Sequence, residues 1–173
     1  EIVETVADFF DAHSVPLVVD PVMVATSGAP LLRENAVATL VGRLFPLATV
    51  VTPNLPEAEA LVGAGPKREL AARLVELGAR AAIVTGGHGD PVDHLFDGEQ
   101  HVEIPVERVE SGATHGAGCT HSATLAALLA RGLSLEDAAR GAAEAASRAV
   151  AQGLADIGKG DGPVDVLGLP GAA

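Results

Sequence analysis

Short β-branched runs alternating with segments of helical apolar spacing predict an α/β fold built on a mainly parallel sheet. The runs at 15–19, 49–52 and 81–84 are separated by amphipathic stretches long enough for crossover helices. Each run leads into a polar or glycine-bearing step: Asp20-Pro21, Pro53-Asn54 and Thr85-Gly86-Gly87. In open α/β sheets the carboxyl ends of strands carry the site, so these steps are where chemistry is expected.

Taken in order, Ile2, Val3, Val6, Phe9 and Phe10 fall at helical spacing within 1–13. Residues 15–19 form a buried strand ending at Asp20. Residues 34–45 read as an amphipathic helix, and 49–52 as a strand stopped by Pro53. A short helix over 56–62 has proline in its first turn, and one over 67–77 ends at Gly78. After the strand at 81–84, residues 92–96 and 100–106 make a hairpin about Asp97-Gly98. Residues 122–130 have helical composition, and Ser134 with Glu136 and Asp137 opens a last helix to about residue 152. Residues 1–167 are expected to be one domain, with 168–173 a tail or the start of a linker.

Composition narrows the function classes. At 173 residues and 48% hydrophobic, the chain can bury a core. Net charge is −12, with 23 acidic residues against 11 scattered basic ones, which gives no footprint for nucleic acid. An anionic substrate must therefore be drawn in by a local site against the overall field. Apolar runs fall far short of the ~18 residues a membrane span requires. The acidic start Glu1-Ile2-Val3-Glu4 lacks a basic signal-peptide region, and a lone cysteine fits a reducing compartment. A cytoplasmic protein without a membrane partner is expected.

The run Thr114-His115-Gly116-Ala117-Gly118-Cys119-Thr120 opens directly into the apolar stretch after it. A bare helix N-terminus offers unpaired N–H groups and a positive dipole end, which suit a transferring phosphoryl group. The same position favours thiolate character at Cys119, the only cysteine; the plainer reading is a tight turn with a buried small hydrophobe. Asn54-Leu55-Pro56-Glu57 reads either as a helix cap or as a carboxamide and carboxylate poised to hold Mg²⁺ through water. Asp20 is a turn former or a metal–phosphate neighbour. Thr85-Gly86-Gly87 is a turn or a place for a nucleotide to approach the backbone. Lys159, glycine-flanked and one of two lysines, is a solvated side chain or a phosphate ligand. No Walker pattern is present, which excludes a P-loop kinase. His115, Cys119 and His121 lack the partner spacing of a zinc site, and His88 reads as a loop residue.

Together these segments resemble the hydroxymethylpyrimidine/phosphomethylpyrimidine kinases of the ribokinase superfamily. The matching stretches are Asp20-Pro21-Val22-Met23-Val24-Ala25 with Ser27-Gly28 and Pro30-Leu31-Leu32, then Thr52-Pro53-Asn54-Leu55-Pro56-Glu57-Ala58-Glu59. They continue in Gly86-Gly87-His88, Leu95-Phe96-Asp97-Gly98, the 114–120 run, and Gly158-Lys159-Gly160-Asp161-Gly162-Pro163-Val164. Most ribokinase relatives carry Asp where Cys119 stands, and the Cys form is characteristic of the pyrimidine kinases.

The resemblance implies a ribokinase-like three-layer sandwich. It also implies ATP-dependent phosphorylation of 4-amino-5-hydroxymethyl-2-methylpyrimidine and then of its monophosphate, in thiamine biosynthesis. By the same resemblance, Asn54 and Glu57 organise Mg²⁺ and phosphate; Asp20 is a further candidate for the metal, and Thr85, Gly87 and Lys159 join Asn54 as candidate ATP contacts. Gly116, Ala117 and Gly118 form the anion hole, with Cys119 in the base position. The expected partner is a small pyrimidine, with a homodimer as candidate assembly. Thr26 and Thr85 depart from the family, which commonly has Lys at both places. Family members also carry a further N-terminal portion, so the chain corresponds to their C-terminal two-thirds. The rivals are a pyridoxal or related vitamin kinase, a thiol hydrolase using Cys119 with a histidine, and a non-catalytic ligand-binding module.

Overall fold

The computed structural model describes residues 2–23, 31–87, 89–157 and 159–168. Val24, Ala25, Thr26, Ser27, Gly28, Pro30, His88, Gly158 and the tail at 169–173, all named above, lie outside them. Five strands form one sheet in sequence order: β1 (Val18–Val19), β2 (Val50–Val51), β3 (Ala82–Val84), β4 (Val92–Phe96) and β5 (His101–Pro105). β1, β2 and β3 are parallel, with Val18 opposite Val50 and Val51 opposite Ala82. The β3–β4 and β4–β5 pairings are antiparallel. The described sheet is thus mixed: its parallel half is the one the alternating pattern predicts, and the hairpin supplies the rest. Asp97 shapes the hairpin turn by accepting the Glu99 and Gln100 amides at 2.9 and 2.7 Å.

Alternation along the strands sorts apolar residues into two cores. Val51, Ala82 and Val84 face one side, packed with Leu70 and Leu74 of α4 (Lys67–Glu76) and Ala7 of α1 (Ile2–Asp11). Val50, Ile83 and Leu95 face the other, against Leu125 of α5 (Ala117–Ala130) and the alanines 138, 139, 142 and 143 of α6 (Leu135–Ala151). Helices therefore cover both faces. No helix of the described residues is long and apolar enough to cross a membrane.

The helix expected over 34–45 is broken. α2 (Glu34–Thr39) gives way to a wide π turn at Leu40–Leu44 and a 3₁₀ turn at Phe45–Leu47. Pro46 supplies no N–H and cannot sit inside a continuing helix, so the chain leaves it there. The altered pitch still buries Leu40, Leu44 and Phe45 together. The other helix boundaries agree with the sequence to within one or two residues, including α3 (Leu55–Val62) and Ser134 as the cap of α6, except that α5 begins at Ala117, five residues ahead of the expected 122–130 stretch.

Candidate active site

Three strand ends set the floor of the site. Asp20 follows β1, Asn54 follows Pro53 after β2, and Thr85 follows β3. Asn54 and Thr85 are joined by a parallel bridge, with the Thr85 amide donating to the Pro53 carbonyl at 3.0 Å. Asn54 then caps α3: its Oδ1 accepts the Glu57 amide at 2.9 Å, and Glu57 Oε2 accepts the Asn54 amide at 3.0 Å. This reciprocal box satisfies two helix-end donors. It commits the Asn54 side-chain carbonyl oxygen to the helix.

The cap also buries Glu57, which is 8% exposed. Burial pushes its carboxyl above the ordinary carboxylate range; the Asn54 amide opposes this, the charge of Asp20 adds to it, and the Met23 amide opposes it. Asp20 is raised for the same first reason, burial, against the Ser122 hydroxyl and His121. Two carboxyl groups raised by burial, one of them further by the charge of the other, mark a partly desolvated corner short of positive charge.

The glycine run supplies the opposing wall. Gly116 caps α5 in the left-handed region at φ +93°, a conformation that side-chain-bearing residues rarely adopt. The Ala117 amide donates to the Thr114 carbonyl at 3.2 Å, and the Thr120 amide to Gly116 at 2.9 Å. Among the described residues, the amides of Gly118 and Cys119 have no carbonyl acceptor. Gly116, which sets the turn, likewise donates to no carbonyl among the described residues, so of the four amides of the anion hole expected over 116–119 only that of Ala117 is committed. Gly118 faces Asp20 closely enough that a Cβ on it would lie 4.0 Å from Oδ2. Cys119 is exposed, unlike a buried small hydrophobe. It lines an open groove of about 640 Å³ between α5 and α6, with Ala123, Arg148 and Asp165.

Side chains with no such role expected from the sequence lock these walls together. Ser122 donates to Asp20 Oδ2 at 3.2 Å and shares a 2.9 Å bond with Thr52 at the end of β2. The neighbouring His121 lies 3.2 Å from Asp93 Oδ2 on β4, and Asp93 Oδ1 accepts the Gly86 amide at 2.5 Å. His121 is thereby turned away from the exposed Cys119, so the zinc trio is not assembled. The described residues hold no group of three or more His, Cys, Asp or Glu suited to a metal ion. Alternation along β4 is the signal for Asp93, since it shares the inward face with Leu95.

The loop after β3 is held from its far side by the second lysine. Lys67 is 5% exposed; its Nζ donates to the Asp90 carbonyl at 2.7 Å and lies 3.1 Å from Asp90 Oδ1. The Lys67 bond and charge hold the Asp90 carboxyl below its usual range. Gly87, on the same loop, is exposed with open space where a Cβ would stand. Lys159 is exposed in the segment that follows α6. That segment is stitched onto the chain ahead of α5: Gly162 donates to Gly112 at 2.7 Å, His115 to Gly162 at 3.1 Å, and Val164 to His115 at 2.9 Å. Leu154 completes the stitch by donating to Pro163 at 2.9 Å.

A strand-end site under a glycine-led helix, on a sheet covered on both faces, is the architecture of the ribokinase-like α/β proteins. The pyridoxal kinase from Staphylococcus aureus in complex with ADP superposes with a TM-score of 0.84 at 31% identity, covering 95% of this chain and 63% of that one. The phosphomethylpyrimidine kinase from Clostridium difficile 630 superposes with a TM-score of 0.70 at 29% identity, over 83% of this chain and 61% of that one. The chain belongs to the phosphomethylpyrimidine kinase family, whose sequence profile matches residues 1–165. It is 44% identical over 174 residues to the hydroxymethylpyrimidine/phosphomethylpyrimidine kinase of Rhizobium meliloti, covering 95% of this chain and 65% of that protein. The chain thus spans just under two thirds of the length of that relative.

Proposed function

We propose that this chain is the C-terminal portion of a cytoplasmic ATP- and Mg²⁺-dependent kinase that phosphorylates the hydroxymethyl group of 4-amino-5-hydroxymethyl-2-methylpyrimidine and then its monophosphate. The observation that carries the reading is the meeting of Asp20 and Glu57 with the two free amides of α5. Carboxylates whose charge is disfavoured by burial fit a divalent cation, and an open helix N-terminus fits a phosphate. Mg²⁺ in enzymes is commonly held by one or two carboxylates plus substrate phosphates, which suits a pair of acids without a third ligand.

Bound Mg-ATP supplies the phosphoryl group and neutralises its charge. The chain supplies the rest. Glu57 and Asp20 hold the cation. The Gly118 and Cys119 amides receive the transferring group, where preorganised donors stabilise charge as it develops. Cys119 takes the proton of the attacking hydroxyl, a role in which a thiol is a poorer acceptor than a carboxylate. Gly87 leaves room for the nucleotide, with Asn54, Thr85 and Lys159 as its further contacts.

A pyridoxal kinase is the second reading, favoured by the higher TM-score of the Staphylococcus aureus structure. The 44% identity to the Rhizobium meliloti kinase and the profile match favour the pyrimidine. Turnover of both substrates, by this chain and by a version extended at its N-terminus, separates them. The extended protein should prefer the pyrimidine by about tenfold or more in kcat/KM, a difference of about 1.4 kcal/mol in transition-state stabilisation. A preference for pyridoxal selects the second reading, and transfer to neither removes the kinase. Equal turnover by both lengths would mean that residues 1–173 hold a complete substrate pocket.

A further inference from the structure

We infer that His121 and Asp93 are a positioning pair that couples the Thr85-Gly86-Gly87 loop to the first turn of α5, so that the nucleotide loop and the anion hole move as one body. The inference rests on the kinase reading for what the coupling serves, and on geometry for the coupling itself. Asp93 is 2% exposed and uses both oxygens: Oδ1 for the Gly86 amide at 2.5 Å, Oδ2 for His121 Nε2 at 3.2 Å. His121 is 4% exposed, and among the described residues its Nδ1 is buried with no partner. A buried carboxylate that accepts from both sides requires the imidazole proton on Nε2.

Two further contacts make the coupling stiff. A Cβ on Gly86 would stand 2.7 Å from the Val92 nitrogen and 2.9 Å from its carbonyl carbon, so the loop lies directly on the start of β4. One residue beyond His121, Ser122 fixes the same turn of α5 to Asp20 and Thr52. α5 is therefore bonded through consecutive side chains to the ends of β1 and β2 and, through Asp93, to the loop after β3. His121 and Gly86 bond to opposite oxygens of Asp93, so His121 acts on the loop through that carboxylate. A residue serving core packing alone would leave Gly86 unaffected when replaced by an apolar side chain of similar bulk.

The test uses the 173-residue chain and three readouts. The ¹⁵N spectrum of the wild-type imidazole should show His121 protonated on Nε2 and bare on Nδ1. Hydrogen exchange of the Gly86 amide should quicken about tenfold or more in His121→Leu, with the Ala82 to Val84 amides unchanged as the internal control. His121→Gln, whose side-chain amide can donate to Asp93, should bring Gly86 back to within about threefold of wild type. Mg-ADP affinity should follow Gly86, weakening about tenfold in His121→Leu and recovering in His121→Gln. An Nδ1-protonated imidazole, or a folded His121→Leu with unchanged Gly86 exchange, overturns the pair. The tautomer is read on wild type, so a Leu variant that fails to fold leaves the test intact. A wild-type chain that binds no Mg-ADP overturns the kinase reading instead, while the tautomer and the exchange still decide the coupling.

Discussion

Glu57 can be separated from its own helix cap by the choice of replacement. Its Oε2 accepts the Asn54 amide at 3.0 Å, and the buried charge sits beside Asp20. Glu57→Gln keeps an acceptor for the capping box and removes the charge; Glu57→Ala removes both. Losing that bond from a cap costs about 1–2 kcal/mol. For a chain of this size each kcal/mol shifts the melting temperature by roughly 2–4 °C, so Glu57→Ala should melt about 2–8 °C below wild type. Glu57→Gln should melt at or above wild type in the absence of ligand, because a charge disfavoured by burial is gone. Both variants should lose about ten- to a hundredfold in Mg-ATP affinity, or 1.4–2.7 kcal/mol. Circular-dichroism melts and calorimetric titration with Mg-ATP make the comparison. If Gln melts as low as Ala while Mg-ATP affinity is intact, Glu57 is a cap and no metal ligand, and the carboxylate-pair argument fails.

Asp20 and Glu57, both raised by burial, bind protons more tightly in the folded chain, so their stabilisation is full below about pH 4 and is lost as pH rises through the raised values. The melting temperature of Asp20→Asn relative to ligand-free wild type should therefore climb as pH rises above about 4. Asp90, Asp97 and His101, shifted down, cancel in that difference, and a flat difference refutes the shift. Lys67→Met leaves the Asp90 and Val92 carbonyls without their buried donor. It should cost about 1–3 kcal/mol, a fall of roughly 2–12 °C that an unchanged melt would contradict.

The parallel half of the fold was legible because β-branched runs and helical spacing carry different periods, and Pro53, Gly78 and Asp97-Gly98 punctuate them. The site floor was legible for a related reason: Asp20, Asn54 and Thr85 each follow such a run directly. What stayed hidden depends on contacts far apart in the chain. Ser122 reaches Asp20 across 102 residues and Thr52 across 70, and no local pattern marks a serine inside an apolar helix for that role. Asp93 was half visible through strand alternation, but its partners Gly86 and His121 come from two other elements. Asn54-x-x-Glu57 showed its two readings at once, and the structure realises the cap outright while placing Glu57 beside Asp20. The break at 40–47 is hidden because its apolar positions keep a helical rhythm, with Pro46 as its one local mark.

The stitch between residues 112–115 and 154–164 is made of main-chain bonds alone: Gly162 to Gly112, His115 to Gly162, Val164 to His115 and Leu154 to Pro163. No side chain takes part in them, and Pro163 joins through its carbonyl, which proline retains. Selection on this segment therefore acts on chain length far more than on residue identity. Away from Lys159, proposed above as a nucleotide contact, substitutions can drift there, while an insertion or deletion of one residue would shift every bond and release the turn ahead of α5. Gly162 is a second exception, because a Cβ there would collide with the Leu154 carbonyl. Across descendants of this chain, the segment should hold its count and vary in letters, apart from Lys159 and the glycine at 162.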